Sequence, residues 1–257
     1  MKIDNIFDSH AHYDDEAFSK DREKTIQKIK DAGVCCVVNA SSDLTSSKNS
    51  VELSKKHNFF YAAVGIHPLN LENLSLNYLS TLEKLVKENK KIVAIGEIGL
   101  DYHTKPFNKE NQIKIFKEQL ELANKNNLPV IIHNRDADSD CFNLVKQYKP
   151  KGVIHCFSGN LELAKELINM SMYIGIGGVL TFKNAKKLVN VASNIPLENI
   201  LLETDCPYMA PEPLRGTRCD SSMIIHTAKK LSELRNIPLE QVLNQTKENA
   251  KKLFRIG

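Results

Sequence analysis

The chain has 257 residues, 42% hydrophobic and 26% charged, with 35 basic against 31 acidic side chains and a formal charge of +4. That is too apolar for a disordered chain, and the mild basic excess permits a polyanionic partner without demanding one. No apolar run approaches the roughly 18 residues that cross a bilayer, and acids occupy the amino-terminal stretch where a signal peptide needs an apolar core, so neither a membrane span nor secretion by that route is expected.

Apolar runs rich in β-branched residues begin near Ile3, Val34, Phe60, Ile92, Val130, Val153, Tyr173 and Ile200. Their mean interval is about 28 residues, close to the roughly 30 of one βαβ unit. Helical patterns lie between them. The clearest covers residues 108–126, where Ile113, Phe116, Leu120 and Ala123 recur at spacings of three and four, and another covers residues 161–168. Eight strand–helix repeats without a linker-like stretch predict an α/β fold, a single (β/α)8 TIM-type barrel spanning residues 1–257. Lysine-rich segments at residues 20–30 and 247–252 read as solvated outer faces of helices. The six cysteines form no C-x-x-C pair and sit mostly in apolar segments, which suits reduced thiols in a cytoplasmic protein.

In such a barrel, chemistry belongs at the carboxyl ends of the strands. The first strand ends in His10-Ala11-His12, and residues two apart on a strand face the same side, so both imidazoles can address one ion. That pair alone is weak. Glu97, however, closes the run Val93-Ala94-Ile95-Gly96, His133 closes Val130-Ile131-Ile132, and His155 closes Val153-Ile154. Glu203-Thr204-Asp205 closes Leu201-Leu202. Each of these alone is readily a capping residue, but together on one rim they form a metal-ligand set. Three or four such ligands make one site and about six make two, and Glu97, the carboxylate in the middle of the ring, is the natural bridge between two divalent ions. Imidazole favours zinc, whereas nuclease chemistry often uses magnesium or manganese. Phosphate-loop, dinucleotide, serine-elbow and H-E-x-x-H motifs are absent. Cys206, beside the ligands and before a proline, reads as a small packed side chain.

The motifs FDSHAH (7–12), GIHP (65–68), GEIGLDY (96–102), HNRDA (133–137), HCFSG (155–159), ETDCPY (203–208) and PLRG (213–216) together resemble the TatD family of metal-dependent deoxyribonucleases, within the amidohydrolase-like barrels. The resemblance implies one ion among His10, His12, Glu97 and Asp205, a second held by Glu97, His133 and His155, and a substrate role for His67. It departs at residues 217–222, where family members commonly carry Asn-x-Pro after the Arg-Gly. That leaves the shape of the substrate loop open.

The reaction expected is hydrolysis of a phosphodiester by a metal-activated water, as a 3′–5′ exodeoxyribonuclease on single-stranded DNA or 3′ ends. Glu203 either orients the water or partners a metal-bound histidine, and Asp8 belongs to the second of those roles. Arg135 and Arg215 are candidate phosphate clamps, with structural salt bridges as the alternative. Tyr102 stacks on a base or packs in the protein. Gly175, Gly177 and Gly178 admit a substrate backbone or relieve crowding. Another metal-dependent hydrolase, acting on an amide, a lactone or a small phosphoester, is the main alternative, and a non-catalytic nucleic-acid-binding barrel the lesser one.

Overall fold

The computed structural model describes residues 4–72 and 74–257. Strands and helices alternate as β1 (Ile6–Ala11), α1 (Arg22–Asp31), β2 (Val34–Ala40), α2 (Leu44–Lys56), β3 (Phe60–Val64), α3 (Tyr78–Glu88), β4 (Ile92–Asp101), α4 (Lys109–Lys125) and β5 (Val130–Arg135). They continue as α5 (Asp138–Tyr148), β6 (Gly152–Ile154), α6 (Leu161–Asn169), β7 (Met172–Ile176), α7 (Lys186–Asn194), β8 (Ile200–Leu202), α8 (Ile224–Arg235) and α9 (Leu239–Phe254). The expected strand start near Ile3 lies outside the described residues. The strands form one parallel sheet in the order β1 to β8. Its two edges meet where Ala11 bridges Cys206, so the barrel is nearly closed.

Local sequence explains where the helices begin. Asp43 and Ser46 form a reciprocal capping box at the start of α2, while the Asn108 and Asn160 side chains accept the backbone N–H groups of Asn111 and Leu163 to start α4 and α6. Each such cap stabilises by about 1 kcal/mol. The predicted helix at 108–126 is therefore α4 with its two flanking asparagines.

Two apolar layers result. One joins the outward faces of the strands to the buried stripes of the helices, for example Ile29, Leu82, Phe116, Val145 and Leu231. The other takes a residue from every strand, including Phe7, Val38, Ala63, Ala94, Ile131, Val153, Tyr173 and Leu201, and fills the inside of the barrel. The end of α9 seals that interior from below, with Leu253, Phe254 and Ile256 buried and the Phe254 ring stacked on Phe7 at 6.2 Å. With the lower half packed solid, the opposite mouth is left for function.

Candidate metal centre

Ladder register slips at two places on that mouth: β1 against β2 between Asp8 and Ala11, and β4 against β5 between Ile95 and Ile98. His10 and Glu97 sit in these slips, which is where an irregular strand can re-aim a side chain. Loop backbone holds their neighbours. Glu97 N–H donates to Ser41 O at 2.8 Å and His67 N–H to Ser42 O at 2.9 Å, both from the segment after β2.

Glu97 lies at the centre. Its Oε1 is 2.9 Å from His133 Nδ1, 2.9 Å from His155 Nε2 and 3.5 Å from His67 Nε2. Its Oε2 is 3.3 Å from His10 Nε2 and 3.7 Å from His12 Nε2. Those two nitrogens approach each other to 3.0 Å, and Asp205 Oδ1 lies 3.5 and 3.2 Å from them. The two oxygens of one buried carboxylate thus face two different groups of imidazoles. Among the described residues, three overlapping sets can hold a cation: His10, His12 and Asp205; His10, Glu97 and His155; His67, Glu97 and His133.

Hydrogen bonds to the far ring nitrogens assign the tautomer each ring adopts when neutral. His12 Nδ1 faces the Ala40 carbonyl at 3.0 Å and must donate to it, which leaves Nε2 bare. His133 Nε2 donates to Asp101 Oδ2 at 2.9 Å, which leaves Nδ1 bare. Both bare nitrogens point at the cluster, as metal ligation requires. His67 is opposite in sense: its Nδ1 accepts the Leu69 N–H at 3.2 Å, so its Nε2 carries the proton toward the site. An imidazole set that way is a hydrogen-bond donor rather than a ligand.

Electrostatics agree with a cation-binding cluster. Burial would raise the Glu97 carboxyl, but His155, His67 and His10 hold it well below its usual range. Burial lowers His10, with help from His155. Burial would also lower His12, yet Asp205 and Glu97 raise it to about 9. His155 is likewise lifted well above its usual value, by Glu97 and Glu203 against the effect of burial. Imidazole nitrogens crowded against each other and two carboxylates fit a divalent cation by donor chemistry.

Other residues act through these. Glu203 does not point into the cavity: its Oε1 accepts the Cys156 N–H and lies 3.7 Å from His155 Nδ1. Asp8 touches no imidazole ring. Its carboxylate instead ties β1 to the segment after β8, accepting the Thr204 and Ser221 hydroxyls, both at 2.6 Å. Gly175 relieves crowding, since a Cβ there would lie 2.5 Å from Glu203 Oε2.

Three positioning residues escaped the sequence reading. Asp101 holds His133, as described. Gln112 and Gln119, two turns apart on the buried face of α4, each clamp one backbone residue through their amides. Gln112 pairs with Asp101 N and O at 2.8 and 2.9 Å, and Gln119 with Ile66 N and O at 2.7 and 3.0 Å. Polar residues seven apart within an apolar stripe were the available signal.

A cavity of about 680 Å³ opens above the cluster, walled by Arg135, Phe157, Val179, Lys187, Leu188, Tyr208 and Met209 among others. Arg135 lines it; Tyr102 and Arg215 do not. Tyr102 stacks on Phe107 at 5.1 Å and donates its hydroxyl to Asp140 at 2.8 Å. Arg215 lies 4.2 Å over the Phe182 ring. Residues 217–222 also stay outside the cavity lining. Arg218 pairs bidentately with Asp21 at 2.8 and 2.7 Å, and Asp220 accepts Lys28 Nζ at 2.6 Å, so this stretch anchors the chain after β8 to α1 and its approach.

A parallel barrel with a histidine–carboxylate cluster at the carboxyl ends of its strands defines a class of cation-binding barrels. The chain belongs within it to the TatD related DNase family, which it matches over residues 7–255. It is 39% identical to YabD of Bacillus subtilis, an uncharacterized metal-dependent hydrolase, over 98% of this chain and 100% of that one. YcfH of Escherichia coli, another uncharacterized metal-dependent hydrolase, is 32% identical over 98% and 96% of the two chains. The crystal structure of YjjV, a TatD homolog from Escherichia coli K12, superposes with a TM-score of 0.94 at 32% identity, covering 99% of each chain. No described helix is long and apolar enough to cross a membrane.

Proposed function

We propose that the protein is a metal-dependent phosphodiester hydrolase that shortens single-stranded DNA from the 3′ end. The observation that carries this reading is Glu97, whose two oxygens face separate imidazole groups. His10, His12, Asp205 and Glu97 would hold one divalent ion, and Glu97, His133 and His155 would hold a second. Divalent ions held there would supply a water of lowered pKa, from 15.7 toward about 7, and positive charge for a phosphate. His67 donates its Nε2–H to a phosphate oxygen. Asp101 fixes His133 by a hydrogen bond at the far nitrogen of the ring, and Glu203 sets a negative charge 3.7 Å from the far nitrogen of His155. Arg135 pairs with a phosphate along the strand.

The cavity favours a strand terminus over a duplex, because its floor is closed and a duplex must be unstacked, at a cost of a few kcal/mol, before its backbone reaches the cluster. The test is metal-reconstituted cleavage of single-stranded DNA labelled at either end, beside a panel of amides, lactones and small phosphoesters. Stepwise loss from the 3′ end, abolished by chelator, is the expected result. Activity surviving exhaustive chelation overturns metal dependence. Rapid cutting of a circular single strand replaces the exonuclease with an endonuclease, and faster turnover of a small ester replaces DNA as substrate.

A further inference from the structure

Two of the large apolar side chains exposed on this fold are neighbours, and both line the cavity: Tyr208 at 56% and Met209 at 40% exposure. Apolar groups left in solvent beside a functional cluster mark a binding surface more often than an accident of packing. Tyr208 is not loose. Its N–H donates to Asp205 O at 2.9 Å, and its hydroxyl donates to Asp15 Oδ2 at 2.8 Å on the neighbouring loop after β1. The ring is therefore fixed at both ends and cannot fold down onto the surface.

The backbone around it is also constrained. Asp205 and Met209 both adopt left-handed conformations, at φ 61° and 56°, which non-glycine residues rarely occupy and which concentrate at functional sites. The surrounding chain enforces the bend, since Gly178 approaches so closely that a Cβ would meet Met209 O at 2.2 Å. One tight turn thus sends the Asp205 carboxylate inward to the cluster and sets Tyr208 and Met209 in the wall above it. Val179 and Leu188 line the same space, while Arg135 and Lys187 add positive charge. A ligand suited to this cavity has an anionic group at one end and a flat apolar face beside it, and continues as a polyanion.

From this geometry we infer a nucleobase subsite, formed by Tyr208 and Met209, that takes the terminal base of the strand whose phosphate lies at the metal cluster. This inference rests on the DNA-hydrolase reading above. Stacking on an aromatic ring tolerates any base, as a strand-shortening enzyme requires. Tyr102, the stacking candidate in the sequence, is covered by Phe107 and unavailable to this cavity.

Four enzymes, the wild type, Tyr208→Phe, Tyr208→Ala and Met209→Ser, are assayed on two single strands that differ only in whether the 3′-terminal nucleotide carries a base or is abasic. Tyr208→Ala raises KM about tenfold or more on the normal strand with kcat within about twofold, while Tyr208→Phe, which keeps the ring and loses only its bond to Asp15, raises KM by a smaller factor. On the abasic strand the wild type and Tyr208→Ala become alike, and Met209→Ser shows a smaller loss confined to the normal strand. A 2-aminopurine at the 3′ end is quenched on binding to the wild type and Tyr208→Phe but not to Tyr208→Ala. Equal losses on both strands, or none on the normal strand, overturn the subsite while leaving the nuclease reading intact. A wild type that cuts neither strand overturns both.

Discussion

His133 is held by its far edge: its Nε2 lies 2.9 Å from Asp101 Oδ2, and this bond turns the bare Nδ1 toward Glu97. Asp101 is in turn clamped at its own backbone by Gln112 and stays ionised, since hydrogen bonds from His133 and Thr104 overcome the effect of burial. The orientation of His133 toward Glu97 therefore depends on a carboxylate on the other side of the ring. Asp101→Asn, which keeps the shape and removes the charge, is expected to weaken the second metal equivalent about 10–100-fold while the first binds as before. Calorimetric titration reads the two equivalents separately; an equal loss in both would instead indicate local unfolding.

Metal binding should release protons. In the metal-free protein His12 keeps its proton up to about pH 9, and His155 is also raised well above its usual value. A ligating ring must be neutral, so affinity climbs as pH rises toward about 9. The stripped protein follows the opposite sign: a raised histidine pKa stabilises fully below the unfolded value of about 6.5, and that contribution disappears as pH rises through the folded value. The Tm gap between loaded and stripped protein should accordingly widen from about pH 6 to about pH 9. A constant gap refutes the linkage.

Glu97→Ala removes the shared carboxylate and should eliminate activity together with most bound metal. Glu203→Ala should lower the rate with most metal retained, because Glu203 faces the outer nitrogen of His155 rather than the cluster. Elemental analysis of both variants beside their kcat decides this, and equal metal loss would make Glu203 a ligand.

The two candidate phosphate clamps should separate. Arg135 lines the cavity, whereas Arg215 lies over the Phe182 ring. Arg135→Ala is expected to flatten the salt dependence of DNA binding by about one unit of slope, and Arg215→Ala to leave it unchanged. Reversed slopes reassign the clamp.

Stability has its own test at the barrel floor. Phe254 is buried at 2% exposure against Phe7, so Phe254→Ala should cost about 3–5 kcal/mol in urea unfolding. The folded fraction should retain wild-type kcat, because the substitution lies at the end opposite the cluster.

Strand spacing, the barrel and the residues that converge on Glu97 were legible because each is a local event: an apolar run stopping at a histidine or a carboxylate. Glu203 was harder to read. Alternation along a strand places it on the same side as Asp205, but β8 ends at Leu202 and Asp205 turns left-handed, so the parity argument had already expired. Asp101, Gln112 and Gln119 act by hydrogen bonds across 11 to 53 positions of sequence, which no spacing rule reports. The end of α9 was read through its lysines as a solvated face. The Phe254 side of the same helix proved to be the stopper of the barrel, a role set by tertiary packing alone.

That stopper governs traffic. With Phe254 and Ile256 filling the lower opening, a chain-like ligand entering at the cavity mouth cannot be threaded through the barrel like a cord through a bead. On the proposed DNA-hydrolase reading, both products of cleavage would leave on the side of the barrel where the strand entered. If the proposed strand shortening holds, each round is expected to begin with a fresh entry, and long strands should lose their ends in step with one another rather than one molecule being consumed while its neighbours wait.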